Sequence, residues 1–174
     1  MITEIEAKIK VDSLQAIKRK LTELGAQFCQ EQLQTDYHFD DANMTLAQTG
    51  GALRLRRQRV GAGERFFLTY KGPKEKSRFK RRQEIEIEVN DADSAQKLLS
   101  ALGYEKVLIV EKKRQVWRLG ECEIDLDRLP LLGDFVEIEG PSDEKIADTQ
   151  SSLGLSHLPH IRKTYSALIR QKMR

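Results

Sequence analysis

Short segments of this chain alternate between like-charged and aliphatic residues, and this pattern constrains the fold more than any other feature. The segment EIEIEV at 84–89 places glutamates at every second position, with isoleucine or valine between them. In a β-strand, successive side chains point to opposite faces, and residues i and i+2 lie about 6.6 Å apart on one side. The segments at 2–10 and 52–60 alternate in the same way. The pattern predicts strands that each have one charged face and one apolar face.

The charged faces are sorted by sign from strand to strand. The acidic sets are Glu4/Glu6, Glu84/Glu86/Glu88, Asp125/Asp127 and Glu137/Glu139, and the basic ones are Arg54/Arg56 and Lys112/Arg114, with Lys8 and Lys71 alone in their strands. For any single strand, the solvated face of an open antiparallel sheet is a common explanation. Neighbouring like charges repel, however, and a surface that only has to be solvated gains from mixed signs. The repetition therefore favours a closed barrel whose charged face lines a tunnel.

We predict an α+β fold: an eight-stranded antiparallel closed β-barrel (a tunnel) with a charged interior and helices packed outside. The length is that of a single domain, residues 1–174. Helical spacing of apolar residues predicts helices at 12–26, 91–102, 142–153 and 162–172, and alternation predicts strands at 2–10, 27–40, 52–60, 65–73, 84–89, 106–118, 121–128 and 134–139, with loops at 41–50 and 74–80. A barrel of eight strands leaves room for one ligand of modest size.

Composition argues against several classes of protein. No apolar run approaches the roughly 18 residues of a membrane span, and the N-terminal sequence does not resemble a signal peptide, so we expect a cytoplasmic protein with no membrane partner. The 30 Lys and Arg are mixed evenly with 27 Asp and Glu, which argues against a nucleic-acid partner. Two cysteines, Cys29 and Cys122, are too few for a disulfide scaffold or a four-ligand zinc site. We expect both to pack in the core.

A tunnel lined with charges requires a ligand, because unpaired charges in a confined site are costly. Carboxylates suit Mg²⁺ or Mn²⁺, whereas arginine and lysine suit phosphate oxygens. No glycine-rich phosphate-binding loop is present, so side chains would have to hold the phosphates. The basic segment 71–82 is either a solvated loop or a region, including Arg82, that attracts polyanions to the tunnel. The lining predicts a polyphosphate ligand that carries one or two divalent ions.

The motif Glu4-Ile5-Glu6-Ala7-Lys8 resembles the ExExK signature that opens the CYTH superfamily, the triphosphate tunnel metalloenzymes. Further similar segments follow in order along nearly the whole chain: LRLR at 53–56, LTYKG at 68–72, EIEIEV at 84–89, EKKR at 111–114, DLD at 125–127, LGDFVEIEG at 132–140 and RKTY at 162–165. EKKR and LGDFVEIEG look more like the class IV adenylyl cyclase branch than the thiamine triphosphatase branch. The family fold, an eight-stranded tunnel, agrees with the alternation argument.

The resemblance also implies roles for individual residues. It implies metal ligands at Glu4, Glu6, Glu137 and Glu139, completed by Asp125 or Glu86, and a triphosphate clamp of Lys8, Arg54, Arg56, Lys71, Arg82, Lys112, Arg114 and Lys163. Lys8 and Asp127 are the implied catalytic residues, although Asp125 competes with Asp127 for its position. The inward face of the strand at 106–118 is taken from the resemblance alone.

The resemblance implies a class IV adenylyl cyclase-like enzyme that converts ATP to cyclic AMP and pyrophosphate with Mg²⁺ or Mn²⁺. The alternative is a metal-dependent triphosphatase acting on tripolyphosphate, thiamine triphosphate or a nucleoside triphosphate. A third hypothesis is a non-catalytic polyphosphate-binding module. The paired carboxylates disfavour it, because binding alone needs the bases more. Family members are often dimers, which implies a homodimer.

Overall fold

The computed structural model of the protein describes residues 2–173, and eight antiparallel strands form a closed barrel in the order β1-β5-β4-β3-β2-β6-β7-β8. The strands are β1 (Ile2–Val11), β2 (Gln27–Asp40), β3 (Ala52–Val60), β4 (Gly63–Lys71), β5 (Lys80–Val89), β6 (Glu105–Leu119), β7 (Cys122–Leu129) and β8 (Gly133–Glu139). The barrel closes through β1, which pairs with β5 on one side and with β8 on the other. The predicted fold class is confirmed.

Five helices accompany the barrel: α1 (Leu14–Glu23), α2 (Thr45–Thr49), α3 (Ala92–Ala101), α4 (Asp143–Ser152) and α5 (Tyr165–Lys172). Side chains of Asp91, Ser142 and Thr164 accept hydrogen bonds from backbone N–H groups in the first turns of α3, α4 and α5. Gly25 and Gly103 follow α1 and α3 with positive φ, a conformation that glycine adopts at little cost. No helix in residues 2–173 is both long and apolar enough to cross a bilayer.

Three predictions of secondary structure were wrong. Strand β5 begins at Lys80 rather than at residue 84, because residues 80–83 pair with β1 although their charges do not alternate. The segment 41–50, predicted as a loop, contains α2, because the Asp40 carboxylate accepts hydrogen bonds from the backbone N–H groups of Leu46 and Ala47. A helix this short shows no apolar periodicity in the sequence. Helix α5 begins at Tyr165 rather than at residue 162, because the backbone just before it is held in extended form by the Ile161 N–H, which donates to the Lys8 carbonyl at 2.7 Å.

The apolar outer face of the barrel is covered unequally. Helices α1 and α4 pack on β1, β7 and β8, and this cluster includes Ile138, Ile146 and the buried Cys122. Helix α3 packs on the other side, against residues such as Leu55 of β3. Cys29, expected in the core, is exposed, because it lies at a β-bulge between Phe28 and Gln30 where the pairing of β2 with β6 shifts.

Helix α5 packs against inward-facing residues at one end of the barrel. Its Tyr165 and Ile169 form a cluster with Val110, Leu129 and Phe135, whose strand partners face the interior. The Phe135 and Tyr165 rings meet edge to face with centroids 5.2 Å apart. One end of the tunnel is therefore apolar and narrowed by α5, while its middle remains charged.

Candidate active site

The interior of the barrel encloses a cavity of about 450 Å³, lined by inward-facing residues from the strands and by the start of α5. Strand register explains the convergence, because Glu6 lies opposite Glu139 and Glu137 lies opposite both Lys8 and Asp125. Cross-strand partners share one face of a sheet. The cavity brings together these residues named from the sequence: Glu4, Glu6, Lys8, Arg54, Arg56, Lys71, Arg82, Glu86, Lys112, Arg114, Asp125, Glu137 and Glu139.

Three of the residues named from the sequence do not line this cavity: Asp127, Lys163 and Glu88. Glu88 lies near the end of β5, where its exposed side chain pairs with Arg65 instead. Asp127 is 0% exposed and lies behind the lining, where both of its carboxylate oxygens accept hydrogen bonds from neighbouring side chains. The side chain of Lys163 lies outside the tunnel, with its Nζ 2.7 Å from Gln171 Oε1. Only the Lys163 carbonyl approaches the tunnel, at 3.4 Å from Lys8 Nζ.

Most of the carboxylates lie on one side of the tunnel, which we call the acid wall. It is the inner face of β1, β7 and β8, and it carries Glu4, Glu6, Glu123, Asp125, Glu137 and Glu139. Burial, reinforced by the neighbouring Glu4 and Glu6, raises the pKa of Glu139 to about 7. Burial and the adjacent carboxylates of Asp127 and Glu137 raise the pKa of Asp125. These carboxylates are crowded more closely than their charges favour.

Glu4 and Glu6 are neutralised by bases from the neighbouring strands. Lys71 Nζ lies 2.6 Å from Glu4 Oε1, and Arg82 Nε lies 2.9 Å from Glu4 Oε2. Lys80 forms a close ion pair with Glu6. Burial alone would raise the pKa of Glu4, but the charges of Lys71, Lys80 and Arg82 outweigh it and lower this pKa well below its usual value. Glu4 is therefore a carboxylate at physiological pH.

Strand β6 contributes bases that contact the acid wall. Arg114 donates to Asp127 at 2.6 and 2.5 Å and also contacts Asp125 and Glu137. Lys112 Nζ donates to Asp127 at 2.9 Å, and so does the Tyr165 hydroxyl. Asp127 thus fixes two bases of the lining from behind.

Lys8 lies between the acid wall and α5. Its Nζ is 3.1 Å from Glu137 Oε1 and 3.9 Å from the centre of the Tyr165 ring, a cation–π contact. The Lys8 side chain is 3% exposed. Lys8 therefore has a fixed position at the narrowed end of the charged region.

The opposite side of the tunnel is the basic wall, which is the inner face of β2–β5 with Arg54, Arg56, Lys71, Lys80 and Arg82. Arg56 binds Asp36 through two parallel hydrogen bonds of 2.6 and 2.7 Å. Arg54 lies 3.4 Å from the same carboxylate, and its Nε donates to Thr69 at 3.3 Å. Burial would raise the pKa of Asp36, but both arginines outweigh it and hold this pKa well below its usual range. Asp36 therefore orients both guanidinium groups.

The bases of the tunnel are crowded as well as buried. Burial, together with the charge of Arg114, lowers the pKa of Lys112 to about 8, although Asp127 and Glu137 act in the opposite sense. Burial also lowers the pKa of Lys80 to about 8, partly offset by Glu6. Both lysines would be more strongly charged in the presence of an anion. The lining therefore suits a polyanion.

Several lining residues were not named as site residues from the sequence: Asp36, His38, Glu123 and Tyr165. Glu84 and Lys80, which also line the cavity, belong to the acidic set of β5 and to the basic segment 71–82, whose charge the sequence showed. Asp36 follows Gln32 and Gln34 on one face of β2, which alternates without repeating a charge. Tyr165 ends the RKTY motif, but nothing in its spacing indicates that it faces the tunnel.

The acid wall fits a hard divalent cation by the chemistry of its donors. Asp125 Oδ1 is buried without a hydrogen-bond partner, and the carboxylates around it repel one another, so a cation would relieve both costs. Among residues 2–173, no three carboxylate, histidine or cysteine side chains are already arranged around one point as metal ligands. Glu4, Glu6 and Glu137 instead contact bases. Metal binding would therefore exchange some of these ion pairs for metal contacts.

Comparison with known proteins shows the same architecture. The CYTH domain model matches residues 3–165. A protein of Methanocaldococcus jannaschii named putative adenylate cyclase is 30% identical over 95% of this chain and 97% of its own length. Adenylate cyclase CyaB of Aeromonas hydrophila is 27% identical over 98% of this chain and 90% of its own length.

Solved structures agree with these matches. The PH1819 protein from Pyrococcus horikoshii is 30% identical, with a TM-score of 0.84 over 97% of this chain and 99% of that one. A putative adenylyl cyclase from Hippeastrum, for which a dominant triphosphatase activity is described, shares the fold at 19% identity, with a TM-score of 0.72 over 97% of this chain and 96% of that one. The tunnel, its charged lining and a family match over most of the sequence lead to one conclusion: this chain belongs to the CYTH domain family.

Proposed function

We propose that this protein is a class IV adenylyl cyclase-like enzyme, which converts ATP to cyclic AMP and pyrophosphate with a divalent metal ion. The main support for this proposal is the cavity of the barrel. Crowded carboxylates lie on one of its walls, and oriented arginines and lysines lie on the other. A triphosphate with its counter-cation matches both halves of that lining. The adenylate cyclase names of the two curated relatives support the choice of reaction.

The bases would bind the triphosphate by exchanging carboxylate partners for phosphate oxygens. Arg56 and Arg114 hold planar guanidinium groups in fixed orientations, through Asp36 and Asp127 respectively. Lys71 and Lys112 supply point charges on either side. Because these groups are already oriented, little conformational entropy is lost when the phosphates bind.

We assign metal binding to Glu4, Glu6, Glu137 and Glu139, completed by Asp125 or Glu86. Glu86 is the weaker candidate, since its side chain is 40% exposed and it accepts a hydrogen bond from Thr69. When bound, Mg²⁺ or Mn²⁺ would activate the attacking oxygen and neutralise charge that develops on the leaving pyrophosphate.

In the cyclase reaction the ribose 3′ oxygen attacks the α-phosphorus, and the bond from that phosphorus to the pyrophosphate oxygen breaks. The proton of the 3′ hydroxyl is accepted by a carboxylate of the acid wall. We assign Lys8 to a phosphate oxygen beside the reacting centre, where Glu137 and the Tyr165 ring hold its ammonium group. Asp127 acts through Lys112 and Arg114 as a positioning residue, because its oxygens are occupied and it does not reach the cavity.

A metal-dependent triphosphatase is the second candidate. The tunnel lining offers few apolar side chains to hold an adenine ring, such as Val110. The fold neighbour from Hippeastrum, with its described triphosphatase activity, shows that this fold is compatible with that reaction. In that case water attacks the terminal phosphorus and orthophosphate is released.

Product analysis separates these functions. The protein is incubated with ATP or with tripolyphosphate in the presence of Mg²⁺ or Mn²⁺, and the products are resolved by anion-exchange chromatography. Cyclic AMP with an equal amount of pyrophosphate supports the cyclase. Orthophosphate without cyclic AMP supports the triphosphatase, and tight binding without turnover would leave only a polyphosphate-binding module.

We further propose a cytoplasmic location and a homodimer. Free thiols at Cys29 and Cys122 suit a reducing compartment, where ATP is also abundant. Apolar side chains exposed on the outside of β4 and β5, Tyr70, Ile85 and Ile87, offer a surface that a second copy could cover. Light scattering of the purified protein tests the dimer.

A further inference from the structure

A second cavity, of about 420 Å³, adjoins the tunnel at the end occupied by α5. It lies between α5, α2 and the start of β3, and we call it the vestibule. His38, Ala52, Thr164 and Ser166 line both cavities. The vestibule is therefore a continuation of the tunnel rather than a separate surface depression.

The vestibule differs from the tunnel in how its charges are balanced. The tunnel bases all form ion pairs with carboxylates: Lys8, Arg54, Arg56, Lys71, Lys80, Arg82, Lys112 and Arg114. In the vestibule, Lys74, Lys163 and Arg170 have no carboxylate partner within residues 2–173. The acidic residue of the vestibule, Asp40, uses both carboxylate oxygens to accept backbone N–H groups of α2.

The excess positive charge around the vestibule affects the pKa of Lys74. Burial lowers the pKa of Lys74, and the charges of Arg82, Lys8 and Arg162 lower it further, only partly offset by Glu6. Lys74 therefore lies in a region of excess positive charge at the vestibule. An anion placed there would meet several cations that lack a competing carboxylate.

The opposite end of the tunnel carries several carboxylates, of which Glu88 pairs with Arg65 and Glu123 with Arg118. Glu139 ends β8 and Glu123 is close to the start of β7, and these two residues pair with each other in register. Glu86 and Glu88 follow on β5 towards the same end. A terminal phosphate, the most highly charged part of a triphosphate, is disfavoured at that end and favoured at the vestibule.

We propose that the vestibule is an oligophosphate-binding subsite, in which Lys74 and Arg170 bind the terminal phosphates of the substrate chain. This inference rests on the proposed triphosphate substrate and gives it a direction. The terminal phosphates point towards α5, and the nucleoside lies towards the acidic mouth. It also extends the substrate class, because the vestibule continues from the tunnel and offers space for a fourth phosphate.

Calorimetric titration without metal ions tests the subsite independently of turnover. Tripolyphosphate and tetrapolyphosphate are titrated into the full-length protein and into a Lys74→Gln/Arg170→Gln variant at one ionic strength. We expect the variant to lose about tenfold in affinity for tetrapolyphosphate, which corresponds to about 1.4 kcal/mol, and less for tripolyphosphate. Thermal unfolding monitored by circular dichroism establishes that the variant is folded.

The matched control is Arg19→Gln/Lys97→Gln, which removes the same charge from two exposed positions that line neither cavity. Its affinity for tetrapolyphosphate should stay within about twofold of the wild-type value, because exposed charges at a distance are screened. Equal losses in the two variants would overturn the proposal, since the effect would then be general electrostatic attraction.

Adenosine 5′-tetraphosphate tests the direction of the chain. If the terminal phosphates of a nucleotide enter the vestibule, this ligand shows the same loss in the Lys74→Gln/Arg170→Gln variant. An unchanged affinity would mean that the nucleotide binds the other way round, and would overturn the assigned direction. Absence of cyclic AMP in the product analysis would refute the cyclase without affecting these binding measurements.

Discussion

The acid wall and the basic wall of the tunnel are built from the same alternating strands, but they are supported differently from outside. Behind the acid wall, α1 and α4 cover the barrel, and outward residues such as Ile124, Val136 and Ile138 are 0% exposed. Behind the basic wall, α3 and the short α2 pack, and Ile85 and Ile87 remain about half exposed. The wall with the greatest repulsion between like charges is thus the one with the densest packing behind it.

This difference has a physical explanation. Carboxylates that repel one another would move apart if their strands could shift, so a metal site built from them needs a rigid backbone. On the basic wall, Asp36 contacts both Arg54 and Arg56 and offsets part of their charge, so less support from outside is needed. Both walls contain ion pairs, but the acid wall depends on packing from outside as well.

The largest expected effect is on the acid wall itself. Glu137→Gln keeps the size of the side chain but removes the charge that contacts Lys8 and Arg114. We expect turnover of ATP or tripolyphosphate to fall at least about a thousandfold, equivalent to about 4 kcal/mol of barrier, because both the metal and Lys8 lose their partner. Steady-state product formation measures the loss.

The control for this change is Glu111→Ala, which removes an exposed carboxylate from β6. Its turnover should match that of the wild type. A Glu137→Gln enzyme that is folded and retains wild-type turnover would remove Glu137 from the active site.

The next effect tests the packing behind the two walls. Ile138→Ala empties a fully buried site behind the acid wall, and we expect it to lower the free energy of unfolding by about 3 kcal/mol. Ile87→Ala makes the same chemical change at a site that is 54% exposed, so we expect a loss below about 1 kcal/mol. Urea unfolding measures both, and equal losses would show that the walls do not differ in support.

Much of this architecture could be predicted from the sequence because the alternation is strict where it matters. The segments at 2–10, 52–60 and 84–89 carry charge on one face, and the structure places most of these charges inside a closed barrel, with Glu88 the exception. Asp36 could not be found in this way, because its neighbours on the inner face of β2 are uncharged glutamines. The role of Asp36 depends on its pairing with Arg56 on the neighbouring strand β3, which is a tertiary contact.

The position of Lys163 was also beyond sequence reasoning. The RKTY motif spans the N-cap of α5, where the chain changes from extended to helical. Neither strand nor helix periodicity applies at such a junction, so the direction of each side chain depends on local backbone geometry. Tyr165 enters the tunnel while Lys163 points to Gln171 outside it.

A pH effect of intermediate size is expected at His38, beside Asp36. Burial lowers the pKa of His38 to about 4, with Arg54 acting in the same direction and Asp36 against it. Above pH 6.5 the imidazole is neutral in both the folded and unfolded states. As the pH falls towards 4, the His38 imidazole of the unfolded chain is protonated first. At pH 4.5, His38 therefore lowers the free energy of unfolding by about 2 kcal/mol.

Replacing this histidine should reduce the loss of stability in acid. For His38→Asn we expect the drop in unfolding free energy between pH 7 and pH 4.5 to be about 2 kcal/mol smaller than in the wild type. His157→Asn, at an exposed histidine, serves as the control and should follow the wild-type curve. Urea unfolding at both pH values measures these drops, and parallel curves for all three proteins would contradict a His38 that stays neutral in the folded protein.

The smallest effect concerns the basic wall, where two adjacent arginines on β3 face opposite ways. Arg56 lies inside the tunnel and pairs with Asp36, whereas Arg57 lies outside and pairs with Glu64. Arg56→Ala removes one phosphate contact but leaves the other tunnel bases in place, so we expect KM for the triphosphate to rise about tenfold with kcat changed less. Arg57→Ala removes the same charge one position away and should leave both constants unchanged. If the two variants behaved alike, the inward orientation of Arg56 would have no part in binding, and the basic wall would act only through its overall charge.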